Sequence, residues 1–275
     1  MWATLTLMSA LSLPAADTGE LQLTNPRVTY GRLGPTRKDT KFLPGDVYFV
    51  TFDIEGLQFK DGNAKYSMKM ELFDPKGTSK YKSLDQPQEV FTIQGGGRLT
   101  SDAHAVVPTD AMPGEYRLEL VVTDQSTKKQ ATLTRKYEVA EKGFGIVRVN
   151  CAYDLGGVNG PVFPSPGLGV VGQVLFLHFA VTGFDRDKDK KQPKLKLEMR
   201  MLDESGKPTL EKPVTEELPK MDDAAVPEQL TVVPLYFPLA LTKTGKYTVE
   251  VTATDLLSKK TQTVSYPLVV QEPPK

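Results

Sequence analysis

The feature that most restricts what this chain can fold into is an internal repeat. The segment GDVYFVTFDIEGL (residues 45–57) aligns with GQVLFLHFAVTGF (172–184), matching Gly45, Val47, Phe49, Phe52 and Gly56 to Gly172, Val174, Phe176, Phe179 and Gly183 at an offset of 127. YSMKMELFDPKG (66–77) then aligns with LKLEMRMLDESG (195–206) at an offset of 129, and GEYRLELVVTD (114–124) with GKYTVEVTATD (245–255) at 131. The three matches keep their order, and the offset grows only between blocks, where loops absorb insertions. A period near 130 residues is too long for a solenoid or propeller unit, so each copy is expected to be a complete domain. The expected domains are 17–140 and 141–275, meeting at AEKGFG (140–145). So short a linker predicts a restricted relative orientation.

Each matched block alternates apolar and polar residues with period two, the pattern of a half-buried strand. Tyr66, Met68, Met70 and Leu72 point one way and Ser67, Lys69 and Glu71 the other; Leu195, Leu197, Met199 and Met201 repeat this against Lys196, Glu198 and Arg200. Tyr116, Leu118, Leu120 and Val122 form an inward row, as do Tyr247, Val249, Val251 and Ala253. Further strands are expected at 27–33, 103–107 and 131–139, with counterparts at 146–153, 231–237 and 261–270. Short strands punctuated by Gly, Pro and Asp, without helical periodicity, define an all-β chain and predict a two-sheet antiparallel sandwich in each copy.

The pattern G-x-Y-x-[LV]-x-[LV]-x-x-T-D at 114–124 and 245–255 resembles the penultimate strand of bacterial immunoglobulin-like, fibronectin type III and polycystic-kidney-disease repeats. The resemblance implies two tandem immunoglobulin-like sandwiches, with Tyr116 and Tyr247 opening their strands and bonding to nearby backbone. The cysteine pair and core tryptophan of antibody domains are missing. Such folds host many functions, so activity has to be argued from sites.

Few residues suggest chemistry. His104 and His178 are the two histidines of the chain; His178 aligns with Thr51, lies opposite Leu175, Leu177 and Phe179 on its strand, and reads as an ordinary strand residue. The single cysteine, Cys151, has no disulfide partner and no following His and Met of a blue-copper set; it reads as a small buried strand residue. Asp185, Asp187 and Asp189 have the alternating spacing of calcium loops, but Lys196 stands where the distal glutamate belongs, so a solvated turn is expected. Asp124 and Asp255 end their strands and are expected to accept amide hydrogen bonds in hairpin turns. Gly95, Gly96 and Gly97 lack the Lys-Ser/Thr ending of a phosphate loop, and GLGVVG (167–172) reads as a loop entering a strand. No catalytic, cofactor-binding or metal-ligating residue is assigned. Sugar stacking would call on exposed rings, with Tyr81, Phe91, Tyr236 and Phe237 as candidates.

Lys plus Arg and Asp plus Glu are balanced at 34 each, which gives no electrostatic reason to expect nucleic acid or an anionic membrane as partner. Residues 1–16, MWATLTLMSALSLPAA, are too short an apolar run to span a bilayer and fit a secretory signal segment. No transmembrane segment is expected elsewhere. The function expected is that of an exported, non-catalytic module of the cell envelope or extracellular space, acting through an unidentified protein partner or as a spacer. The alternatives are a carbohydrate- or calcium-binding sandwich and a periplasmic chaperone-like protein.

Overall fold

The computed structural model describes residues 19–154, 162–218 and 226–274; the candidate signal segment, 1–16, lies outside them. The described chain is all-β, with several sheets and no helix. The first set of strands is β1 (Gln22–Val28), β2 (Lys41–Phe42), β3 (Val47–Glu55), β4 (Asn63–Phe73), β5 (Ser79–Lys82), β6 (Gln86–Phe91), β7 (Arg98–Val106), β8 (Gly114–Asp124) and β9 (Gln130–Val139). The second is β10 (Gly145–Asp154), β11 (Val162–Pro164), β12 (Leu168–Val170), β13 (Val174–Thr182), β14 (Leu195–Leu202), β15 (Val214–Leu218), β16 (Val232–Ala240), β17 (Gly245–Asp255) and β18 (Thr261–Gln271). Every ladder joins strands of the same set. One sheet runs β1-β3-β7 and its partner β2-β9-β8-β4-β5, with β6 also on β4; the second set gives β11-β10-β13-β16 and β12-β18-β17-β14-β15.

The alternation read from the matched blocks is what builds the cores. Tyr48, Val50, Phe52 and Ile54 of β3 meet Leu118, Leu120 and Val122 of β8 in one buried cluster. Leu175, Leu177, Phe179 and Val181 of β13 meet Val249, Val251 and Ala253 of β17 in another. Each fully buried leucine here contributes about 1.5–3 kcal/mol relative to exposure. The two clusters are separate, and a third, small one joins Val147, Ala180 and Val232 to the partly buried Leu43.

Four expectations need correction. The strand expected over 27–33 runs instead from Gln22 to Val28, because Gly31 (φ 70°) and Leu33 (φ 58°) turn the chain and the Gly34 amide closes onto the Gly31 carbonyl. The segment 167–172, read as a loop, contains β12, which pairs in parallel with β18; β2 pairs in parallel with β9 in the same way. These two-to-three-residue strands are too short for period two to register. The strands expected at 103–107 and 231–237 extend to Arg98 and to Ala240.

Both first strands carry a bulge. The register slips between Thr24 and Arg27 in β1 and between Val147 and Asn150 in β10, with Asn25 (φ 49°) and Arg148 (φ 56°) left-handed at the slip. A bulge leaves one residue outside the ladder and re-aims its groups. That is how Arg148 comes to face the other set of strands.

Candidate functional site

The residues singled out in the sequence do not converge. Cys151 is buried, and burial pushes its thiol up to about 12. His104 is exposed and stacks on Phe49 at 5.1 Å. His178 lies with Phe176 and Tyr236 on the outer face of the β13–β16 pair, its ring 6.3 Å from Phe176 and 5.8 Å from Tyr236. Of the candidate stacking rings, Tyr81, Phe91 and Tyr236 are exposed, whereas Phe237 belongs to the core against Phe179. Gly95, Gly96 and Gly97 lie in the β6–β7 connection. Among the described residues, no three His, Cys, Asp or Glu side chains gather where they could hold a metal ion.

Asp124, Asp187 and Asp255 accept backbone amides. Asp124 accepts the amides of Ser126 and Thr127 on Oδ1 and that of Gln58 on Oδ2. Asp255 accepts the Leu257 amide on Oδ1, and the Asp185 amide and the Ser258 hydroxyl on Oδ2. Burial alone would raise the Asp255 carboxyl, but the Asp185 amide, the Ser258 hydroxyl and the Leu257 amide outweigh it and hold the group below its ordinary value. In the 185–191 turn, Asp187 caps the Lys190 amide, while Arg186 closes the turn on the Lys191 carbonyl and also bonds the carbonyls of Val226, Pro227 and Leu230.

A buried polar network lies at the junction of the two strand sets, and sequence reasoning missed it. Asp46 sits just before β3 and is 1% exposed. Its Oδ1 accepts the amides of Val47 (2.8 Å) and Arg148 (2.7 Å), and its Oδ2 accepts Nη1 of Arg37 at 2.8 Å. Arg148 Nε also donates to the Gly45 carbonyl at 2.7 Å, so β10 is tied twice to the chain before β3. The Arg37 guanidinium lies 4.2 Å over the Phe42 ring and donates to the Lys41 carbonyl, which leaves the charge paired, stacked and nearly buried. Tyr30 completes the junction by packing on Tyr266, 5.4 Å between centroids, against the second core. One signal was available: in the aligned segments Asp46 stands opposite Gln173, whose side chain accepts the nearby Val170 amide.

Beside this network opens a cleft of 540 Å³, with Lys38, Asp39 and Lys41 on one wall and Gln262, Thr263 and Ser265 on the other. No histidine or cysteine lines it among the described residues. Chemically it combines apolar surface from Leu43, Phe144, Ile146 and Val264 with charges of both signs and hydroxyls.

No family model and no curated protein matches this chain. Among solved structures it is similar over 94% of its length to the crystal structure of red sea bream transglutaminase, at 11% identity and a TM-score of 0.29. The match spans 32% of that chain, and a likeness this low carries no argument about fold or activity. Among the described residues, no helix is long and apolar enough to cross a membrane.

Proposed function

We propose that the chain is a pair of tandem immunoglobulin-like β-sandwiches, residues 17–140 and 141–275, derived from one another by duplication. In this reading it works as an exported, non-catalytic module of the cell envelope or extracellular space, by protein contact or as a rigid spacer.

The observation that carries the reading is that bonds invisible to hydrophobic pattern recur at the aligned positions. Tyr116 Oη donates to the Met112 carbonyl and Tyr247 Oη to the Lys243 carbonyl, four residues back in each case. The Gly45 amide donates to the Val107 carbonyl, and Val107 in turn to Asp46; Gly172, Leu241 and Gln173 make the same clamp. Asp74 caps the amides of Lys76 and Thr78, and Asp203 those of Ser205 and Lys207. The Asp46–Arg148 junction favours a fixed orientation between the units, which suits a spacer or a composite binding face. The apolar segment 1–16 is what supports export.

The test is crosslinking of the full chain in its native cells after fractionation. A specific protein partner in the envelope or medium is the expected result; a cytoplasmic chain, or turnover of a small-molecule substrate, would remove the proposal. A second reading, carbohydrate binding, is favoured by the Phe176–His178–Tyr236 platform, where Tyr236 is 58% exposed. A glycan that raises the melting temperature in the wild type and fails to do so in Tyr236→Ala would select it.

A further inference from the structure

The two sets of strands differ at one matched edge. Strand β7 ends its sheet as β16 ends its own, with no strand beyond either among the described residues. The amide of Val107 points at β3, donating to the Asp46 carbonyl, and the amide of Leu241 points at β13, donating to the Gln173 carbonyl. Backbone direction alternates along a strand, so the amides of Thr100, Asp102, His104 and Val106 face away from β3. In β16 the outward positions are 234, 236, 238 and 240, and two of them are Pro234 and Pro238. Proline offers no amide and its ring obstructs an incoming strand, so the β16 edge is closed to pairing. Counting from Val107 and Leu241, Pro234 corresponds to Thr100 and Pro238 to His104. The β7 edge has no such block.

Beneath that edge lies a groove of 350 Å³ between β7 and the edge strands of the opposite sheet. Met68, Met70 and Tyr81 lie there among Ser83, Gln86 and Gln88, and Asp102 and Arg32 form an ion pair beside it. An unpaired row of amides and carbonyls over a floor that mixes apolar and amide side chains is an arrangement that takes an added strand, main chain giving affinity and alternate side chains giving selectivity.

We propose that β7 accepts, by strand addition, an extended segment of a partner protein with apolar side chains at alternate positions. The backbone of that segment pairs with Thr100, Asp102, His104 and Val106, and its inward side chains rest on Met68, Met70 and Tyr81. A second copy of this chain is the poorer occupant, because its own β7 turns Ala103 and Ala105 into its own core and brings nothing to fill the groove. The proposal rests on the protein-contact reading and gives it a surface and a ligand class.

The experiment uses the full chain and an acetylated decapeptide in which Thr and Val alternate behind two lysines. Binding is read by anisotropy and by amide exchange. The expected result is new protection at Thr100, Asp102, His104 and Val106, with affinity lowered about tenfold or more in His104→Pro and in Thr100→Pro. Both substitutions copy what β16 already carries, and far-UV circular dichroism with melting confirms that each variant is folded. Unchanged affinity in both folded variants, protection elsewhere, or no binding overturns the proposal. So does self-association that protects the same amides without peptide. A native partner crosslinked equally by wild type and His104→Pro overturns the edge assignment while leaving the protein-contact reading in place; absence of any partner strikes that reading itself.

Discussion

The backbone amide of Arg148 donates to the carboxylate of Asp46 at 2.7 Å across the linker that separates the two sets of strands. The contact needs Arg148 in a left-handed conformation, φ 56°, which a non-glycine residue adopts at a cost. The carboxylate also holds Arg37, whose side chain is 13% exposed.

Asp46→Ala is therefore expected to destabilise the chain by about 3 kcal/mol, since it strands two amides and a nearly buried guanidinium together. Asp46→Asn keeps an acceptor without the charge and should fall between. Urea unfolding measures the loss, and small-angle scattering should detect a wider spread of orientations. A wild-type midpoint for Asp46→Ala would show that the junction contributes nothing.

Tyr116→Phe and Tyr247→Phe each remove one hydroxyl and leave the ring in place. Each is expected to cost about 1 kcal/mol, and the double variant about their sum, because the sites share no partners. The one Tyr247 hydroxyl proton is shared between the Lys243 and Thr244 carbonyls and is the more exposed, so its loss should be no larger than that of the buried Tyr116. A double-mutant cycle in guanidinium chloride decides this.

Acid should unfold the protein partly through Asp255. Its folded-state carboxyl titrates below the ordinary 3.8, so the stability it contributes is complete above that value and disappears as pH falls through the lower folded value. Asp255→Asn should be less stable than wild type at neutral pH and lose less on acidification below about pH 4. Urea midpoints of both proteins, taken from pH 7 downwards, give the comparison. Parallel curves would mean that the carboxyl does not titrate with folding.

Lys128 (φ 62°) and Lys259 (φ 61°) occupy the left-handed position of the β8–β9 and β17–β18 turns, and both are exposed. Lys128→Gly and Lys259→Gly relieve that conformation and are expected to stabilise by about 0.5–1 kcal/mol each, after the entropy cost of glycine. Differential scanning calorimetry should register a higher melting temperature. A lower one would mean that the lysine stems make contacts of greater worth than the strain.

Cys151 should resist thiol reagents in the native state, since it is 1% exposed and burial disfavours its thiolate. Its modification rate should track global unfolding across a urea series. Rapid labelling without urea would reveal local opening of β10.

The main strands were legible because a half-buried strand writes its orientation into the sequence. The inward row at Tyr116, Leu118, Leu120 and Val122 is fully buried as the alternation predicts. Asp124 and Asp255 were readable as turn acceptors because carboxylates at strand ends satisfy amides locally; their reach to Gln58 and Asp185 was not, since nothing in the sequence brings those loops together. Edge strands β5 and β6 went unseen because they are exposed on both faces and so carry no alternation. The junction around Asp46 depends on one residue at which the two aligned segments disagree, and pattern matching, which rewards agreement, passes over it.

Leu43, finally, sets a limit on how the chain can be divided. It packs on Val147, Ala180 and Val232, a patch on β10, β13 and β16, from the first set of strands. A protease severing residues 140–144 and releasing the N-terminal piece would leave that patch wet and deprive Tyr266 of the Tyr30 ring. The liberated C-terminal fragment should then be sticky and poorly behaved in solution, even with every ladder of its own intact.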